Sequence, residues 1–284
     1  MFKSYQMELG GKPLTLEFGK YAEQAGGSCF VRYGETVVLV NAVVSEKPRP
    51  GIDFFPLSVD YEEKMYAVGK IPGGWIRREG RPSEKAILTC RLIDRPLRPL
   101  FPKGMRNDVS VSATVMSVDN ECPPDIAAMI GASAALCVSD IPWAGPIGGV
   151  NIGMIDDEFI VNPSAEQMET SKLHLTVAGT GEAVMMVEAG ADEISEEIML
   201  KAILFAHEQV KQIVAFIANI QSEMGKEKRT FALVLPGDDV KAAVREYALE
   251  MVKNTFATTV REERQEREEA GISGEPMLDD DEMP

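Results

Sequence analysis

Residues 14–44 read LTLEFGKYAEQAGGSCFVRYGETVVLVNAVV, and this stretch decides the fold class. Three runs, Leu14–Phe18, Ser28–Tyr33 and Val37–Val44, are rich in β-branched and aromatic residues. They are separated by Gly26-Gly27 and Gly34-Glu35, which supply turn chemistry. The pattern predicts a meander of antiparallel strands. Working outward, Phe54–Tyr61 and the alternating Val109–Val118 predict further strands. Val150–Ile155 with Glu158–Asn162, turning at Asp156-Asp157, predicts one hairpin, and Leu173–Ala178 with Ala183–Glu188, turning at Gly179–Gly181, another. Helices are predicted between these strands. One starts behind Ser83 as N-cap and is stopped by Pro96, one covers Asp125–Ser139, and a long amphipathic one runs from Ser195 to near Gly225. Strands interleaved with helices in this order favour an α+β fold, a mixed and mostly antiparallel sheet with helices packed on it, over a doubly wound parallel sheet. Beyond the long helix, Phe231–Leu235 is open to strand or extended loop. A further helix capped by Asp238 or Asp239 is expected toward Val260, and Arg261–Ala270 is nearly all charged. The final GISGEPMLDDDEMP (271–284) is expected to fray or stay disordered.

The 284 residues, 45% hydrophobic and 26% charged, have the composition of a globular protein and can bury a core without disulfides or structural metal. Cys29, Cys90, Cys122 and Cys137 form no CxxC pair, so neither a zinc site nor a disulfide framework is indicated. The longest apolar run, Ile126–Val138, is too short to span a membrane and the N-terminal residues lack a signal-peptide core. The expectation is a reduced, soluble, cytoplasmic protein with no membrane partner.

The formal net charge of −16 argues against a polyanionic ligand, but its distribution reverses that reading. From Lys70 to Arg106 there are ten Lys/Arg and three Asp/Glu, a local +7. From Arg261 onward there are three basic and ten acidic residues, a local −7. Within the basic segment, KIPGGWIRREGRPSEKAILTCRLIDRPLR (70–98) places Trp75 and Ile76 at a glycine-hinged loop tip, followed at once by Arg77 and Arg78. Flat apolar groups beside guanidinium groups suit single-stranded nucleic acid, because bases stack on the first and phosphates pair with the second. Arg91 and Arg95 stand four apart, on one face of the helix starting at Ser83, where bidentate groups on a rigid element can grip phosphates. The bland alternatives are ordinary surface arginines, a Trp75 folded back into the core, and an Arg95 held by Asp94 or a neighbouring carboxylate.

Other features are weaker. Gly179-Thr180-Gly181 begins a dinucleotide-loop pattern, but Val184 stands at the third glycine and a strand follows instead of a helix. The two histidines, His174 and His207, lie in different elements, so no triad or metal cluster is evident. The residues offer an anion-binding loop and helix without a complete catalytic constellation.

Six blocks of the chain resemble bacterial polynucleotide phosphorylases. They are FFPLSVDYEEKMYAVGKIPGGWIRREGRPSE (54–84), RLIDRPLRPLFPKG (91–104), PDIAAMIGASAAL (124–136), GPIGGVNIG (145–153), KLHLTVAGT (172–180) and FAHEQV (205–210). The resemblance implies a first RNase PH-like domain over residues 1–224 and part of an all-helical domain over residues 225–284. It implies a family that degrades single-stranded RNA from the 3′ end with inorganic phosphate, releases nucleoside diphosphates, uses Mg2+ or Mn2+, and assembles as ring-shaped trimers around an RNA channel. The family's constriction loop, an aromatic pair before two arginines, falls on Trp75, Ile76, Arg77 and Arg78, with Ile76 departing from the aromatic pattern. Arg91 and Arg95 fall on helix arginines near the RNA path and active site. Phosphate-binding serines and metal-binding aspartates belong to the second RNase PH-like domain, and the corresponding strand here, Ser171–Thr180, offers Lys172 and His174 with no carboxylate. The chain is therefore expected to supply the RNA-channel half of an enzyme, to hold neither metal nor phosphate itself, and to be inactive alone. The acidic tail is open to two readings, contacts with RNA-degradation partners or a merely solvated segment. The alternatives are a non-catalytic RNA-binding or scaffolding subunit and, more distantly, a small-molecule enzyme using the Gly179 turn.

Overall fold

A computed structural model describes residues 2–273. Its contacts divide the chain into a unit reaching Leu233 and a second beginning at Val234. The first unit is built on two sheets. The larger contains β1 (Lys3–Leu9), β2 (Lys12–Phe18), β3 (Gly27–Tyr33), β4 (Thr36–Val44), β5 (Leu57–Glu63) and β6 (Val109–Ser117), in the order β1-β2-β3-β4-β6-β5. All its neighbours are antiparallel except β5, which lies parallel to β6. The smaller sheet has the order β10-β9-β7-β8, from β7 (Gly148–Ile155), β8 (Glu158–Val161), β9 (Leu173–Gly179) and β10 (Val184–Ala191). The predicted meander and both hairpins are present. Strand β1 had no distinct sequence signal; it is turned back onto β2 by Gly10 and Gly11, whose φ values of +58° and +75° glycine adopts without a Cβ penalty.

Helices α1 (Glu84–Leu97), α2 (Pro124–Val138), the short α3 (Ala165–Thr170) and α4 (Glu196–Met224) complete this unit. Every residue of α2 from Ile126 to Val138 is buried, because the helix packs on β3 and β4 on one side and on β7 and α4 on another. An α+β architecture is thus observed. Its main helix lies between elements of both sheets, which is why it carries no polar face. Helix α1 corrects one expectation. Pro96 does not stop it but sits inside its last turn, both Pro96 and Leu97 being buried. Proline removes one helical hydrogen bond, and Arg98 N–H donates to Asp94 O immediately after, so bonding resumes beyond the gap.

After α4, Phe231–Leu235 has neither helix nor strand. The preceding strap is fastened to the end of α2: Lys228 Nζ donates to the carbonyls of Leu136, Cys137 and Ser139 at 2.9, 3.0 and 2.7 Å, and Arg229 Nε to Asp140 at 2.7 Å. The second unit holds α5 (Asp238–Thr255) and α6 (Arg261–Ser273), packed on each other. Asp238 and Asp239 do not cap α5. Gly237 is the N-cap, and the two carboxylates lie in the first turn, where they favourably face the positive end of the helix dipole. Helix α5 ends at Thr255, short of Val260, and α6 carries the charged run on to Ser273; the rest of the expected frayed tail lies outside the described residues.

Candidate nucleic-acid interface

The basic segment folds into a loop and a helix that leave some of its cations without a carboxylate partner and pair others. The loop leaves a short 3-10 helix, Met65–Val68, whose exit is closed by Gly69 N–H and Lys70 N–H donating to Tyr66 O and Met65 O, each at 3.0 Å. Glu79 Oε1 accepts the Met65 N–H at 3.0 Å and ties the returning limb to the outgoing one. At the tip, Arg77 N–H donates to Gly74 O at 2.9 Å, closing a four-residue turn with Trp75 and Ile76 in its central positions. Arg77 has φ +51°, a left-handed conformation that a β-bearing residue adopts at some cost. A Cβ on Gly73 or Gly74 would meet nothing, so these glycines supply freedom and not space. Trp75 is fully exposed at 101% and Ile76 at 69%, so Trp75 does not fold back into the core. A bare indole at a turn tip exposes apolar surface that water disfavours, which is the condition for stacking on a base.

Helix α1 is positioned by its buried side. Ser83 Oγ accepts the Ala86 N–H at 3.1 Å and caps the helix as its sequence predicted. Cys90 Sγ accepts the Tyr61 N–H at 3.2 Å, joining α1 to β5, and Trp143 Nε1 donates to Leu97 O at 3.0 Å, fixing the far end. Burial pushes the Cys90 thiol above its usual range, and the hydrogen bond from the Tyr61 N–H, which favours the thiolate, opposes that shift only in part. With Ala86, Thr89 and Ile93 inward, the opposite face shows Ile87, Leu88, Arg91 and Arg95 to solvent.

The structure sorts the arginines. Among the described residues, Arg77, Arg78, Arg81 and Arg91 form no ion pair or side-chain hydrogen bond, so their guanidinium groups are unspent. Arg78 and Arg81 also line an open cavity of about 580 Å3 with Tyr61, Met65, Val68 and Ala86. Arg95 pairs with Glu188 of β10 at 3.0 Å, not with Asp94, whose carboxylate is taken by Arg98. Sequence reasoning missed Arg81 as an individual candidate, although the local charge count contained it. It also missed Glu188, for which no local signal exists: the partner is 93 residues away.

Strand β9 tests the fit to a hard divalent cation, which takes oxygen ligands, commonly carboxylates. It presents His174 and Thr176, with Lys172 immediately before its first residue. The Thr176 hydroxyl is spent on Asn151 Oδ1 at 2.7 Å, and no group of three His, Cys, Asp or Glu suited to a metal occurs among the described residues. The donor set does not fit such an ion. His207 Nε2 lies 3.0 Å from Thr180 O, so the second histidine braces the β9–β10 turn. Asp156 and Asp157, with φ +50° and +63°, form the β7–β8 turn.

The two-sheet α+β scaffold defines the class of fold, and the comparisons with known proteins bear on that scaffold. Residues 10–142 match the model of the 3′ exoribonuclease family, domain 1, and residues 145–209 match that of domain 2 of the same family; the chain belongs to this 3′ exoribonuclease (RNase PH) family. Among particular relatives, it is 59% identical over 264 residues to the polyribonucleotide nucleotidyltransferase of Clostridioides difficile (strain 630), covering 93% of this chain and 38% of that protein. It is 60% identical over 252 residues to the polyribonucleotide nucleotidyltransferase of Heliobacterium modesticaldum (strain ATCC 51547 / Ice1), covering 89% and 36%. The chain thus spans well under half the length of these curated relatives. The fold is shared with a chain of the Archaeoglobus fulgidus exosome solved with RNA bound to its active site, at 18% identity and a TM-score of 0.55, covering 75% of this chain and 87% of that one.

Proposed function

We propose that this chain is the RNA-guiding part of a polyribonucleotide nucleotidyltransferase, a protein that shortens single-stranded RNA from its 3′ end by phosphorolysis. In that reaction an oxygen of inorganic phosphate attacks the terminal phosphodiester phosphorus. The bond to the 3′ oxygen of the preceding nucleotide breaks, and a nucleoside diphosphate leaves. The observation that carries the reading is the turn tip: an exposed Trp75 beside Ile76, followed by Arg77 and Arg78, whose side chains have no partner among the described residues. Trp75 stacks a base, Arg77 and Arg78 hold phosphates, and Arg91 and Arg95 of α1 steer the strand onward. Ile76 offers apolar contact without a ring.

The division into an RNase PH-like domain over residues 1–224 and the start of a helical domain over residues 225–284 belongs to the same proposal, as do a homotrimeric ring, further RNA-degradation partners and a cytoplasmic location. Inorganic phosphate is co-substrate and Mg2+ or Mn2+ the metal of the whole protein. β9 of this chain does not fit that metal, which supports placing the metal centre elsewhere and supports a binding role for these residues.

Two measurements test this. An Arg77→Ala/Arg78→Ala variant should bind oligoadenylate more weakly and show a salt dependence shallower by about 1.4, two phosphates at about 0.7 each for single strands. Unchanged affinity with an unchanged salt slope overturns the assignment. ADP release from poly(A) by the chain alone, with phosphate and Mg2+, should be absent; phosphate-dependent ADP would place a working centre within these residues.

A further inference from the structure

We infer that Glu188 occupies the place of an RNA phosphate on Arg95, so that the Arg95–Glu188 pair opens when a strand arrives and sets how readily Arg95 enters the RNA path. The inference rests on the RNA-binding reading above and adds to it a residue on a different element.

The argument is a contrast between two arginines three positions apart. Arg98 is built into the fold. Its Nε and Nη2 hold both oxygens of Asp94 at 2.9 and 2.8 Å, while Nη1 and Nη2 donate to the carbonyls of Phe55 and Leu57 at 3.3 and 3.2 Å. Little of that guanidinium is left for a ligand. Arg95 makes a single contact, Nη1 to Glu188 Oε2 at 3.0 Å, and its remaining N–H groups have no protein partner among the described residues. The two side chains of this pair are 56% and 59% exposed, so the attraction acts through a high dielectric and falls in the weak class of surface ion pairs. A phosphate offers the guanidinium a bidentate partner that this carboxylate does not provide here. Exchange is therefore easy when phosphate is delivered at high local concentration.

Delivery is what the neighbouring residue supplies. Arg91 lies one turn earlier on α1, about 6 Å along the axis, on the same exposed face and without a carboxylate. A strand already held at Arg91 and at the loop tip presents its next phosphate to Arg95 intramolecularly, and this effective concentration overcomes a weak competitor that a free mononucleotide would not displace. Glu188 thus favours a polymer over single nucleotides at Arg95. It stands on β10, an edge strand of the smaller sheet, opposite Thr176 of β9, so its backbone is held in place while its carboxylate is free to swing away.

The test is fluorescence anisotropy of a labelled oligoadenylate with the 284-residue chain across a salt series, in a double-mutant cycle. Glu188→Gln should tighten binding by about 1.4-fold to fivefold, the range of a weak surface pair. It should also make binding more steeply salt-dependent, because salt weakens the competing Arg95–Glu188 pair of the unaltered chain and so partly offsets the loss of phosphate contacts, an offset the variant lacks. In an Arg95→Ala background, Glu188→Gln should have no effect, and Glu182→Gln, which removes an unpaired carboxylate from the β9–β10 turn, should not reproduce the gain. An unchanged affinity in Glu188→Gln overturns the inference, as does an equal gain with and without Arg95, which would mean that the carboxylate merely repels RNA. Binding that Arg77→Ala/Arg78→Ala weakens but Glu188→Gln leaves alone overturns this inference only; no binding by any form overturns the RNA reading and the inference with it.

Discussion

Helices α1 and α2 differ by one residue in length and lie in the same unit, yet they are used in opposite ways. In α2 all residues from Ile126 to Val138 are buried and Asp125 carries the only charge. In α1 five residues are buried and the outward face displays Arg91, Arg95 and the apolar Ile87 and Leu88. A helix enclosed by two sheets and another helix can afford no solvated side chain, so its sequence serves packing alone. A helix resting on one edge of the sheet needs only one anchored face, and the other is free for a ligand. The contrast teaches where function can be changed without unfolding the protein.

The largest effect should come from α2. Ile130→Ala removes a fully buried side chain and should cost about 2–5 kcal/mol, read as a lower urea midpoint with unchanged RNA affinity of the folded protein. Overfilling the same helix is the converse test. A Cβ on Gly131 would lie 2.6 Å from Val31 Cγ2 and 2.7 Å from Val40 Cγ2, so Gly131→Ala should destabilise by about 1–3 kcal/mol. A stable variant at either position would mean that α2 is less tightly enclosed than its burial implies.

On the α1 side the order reverses, with stability untouched and binding altered. Trp75→Ala should weaken oligoadenylate binding by about 1–3 kcal/mol without moving the melting temperature, because its ring touches no core. A large drop in melting temperature would return Trp75 to a structural role. Arg91→Ala should flatten the salt slope by about 0.7 with a similarly small effect on stability.

The smallest expected effect is acid sensitivity, and it should belong to the α2 side. Asp119, in the connection leading from β6 to α2, accepts the N–H groups of Glu121 at 3.0 Å and Glu35 at 3.2 Å. These bonds, that from Glu121 first, hold its carboxyl below the usual aspartate range. A depressed folded value contributes stability above the unfolded pKa of about 3.9, and the contribution is lost as pH falls through the folded value. Urea midpoints measured downward from about pH 5 should therefore fall less steeply in Asp119→Asn than in the parent. RNA binding by arginines should show no matching change, since guanidinium does not titrate there.

Much of this was legible because its causes are local. The Ser83 cap, the β-branched run of β4, the alternation of β6 and the all-apolar run of α2 depend on neighbours within a few residues. So does the grouping of Trp75, Ile76, Arg77 and Arg78, which adjacency places at one tip whatever the rest of the chain does. Strand β1 was not legible, since half its residues face outward and only its pairing with β2 makes it a strand. Pro96 misled because the burial of Pro96 and Leu97 outweighs the one hydrogen bond that proline removes.

The sequence by itself determined the α+β class, the basic segment and most of the residues proposed to meet RNA. Residue type and short spacing are enough for those. Only the tertiary structure decided that Trp75 points to water, that Arg98 is spent on Asp94 and two carbonyls, and that Arg95 is matched with Glu188 from β10. Each of these depends on which distant segments the packing of two sheets brings together, and the charge of an arginine carries no information about the carboxylate that will face it.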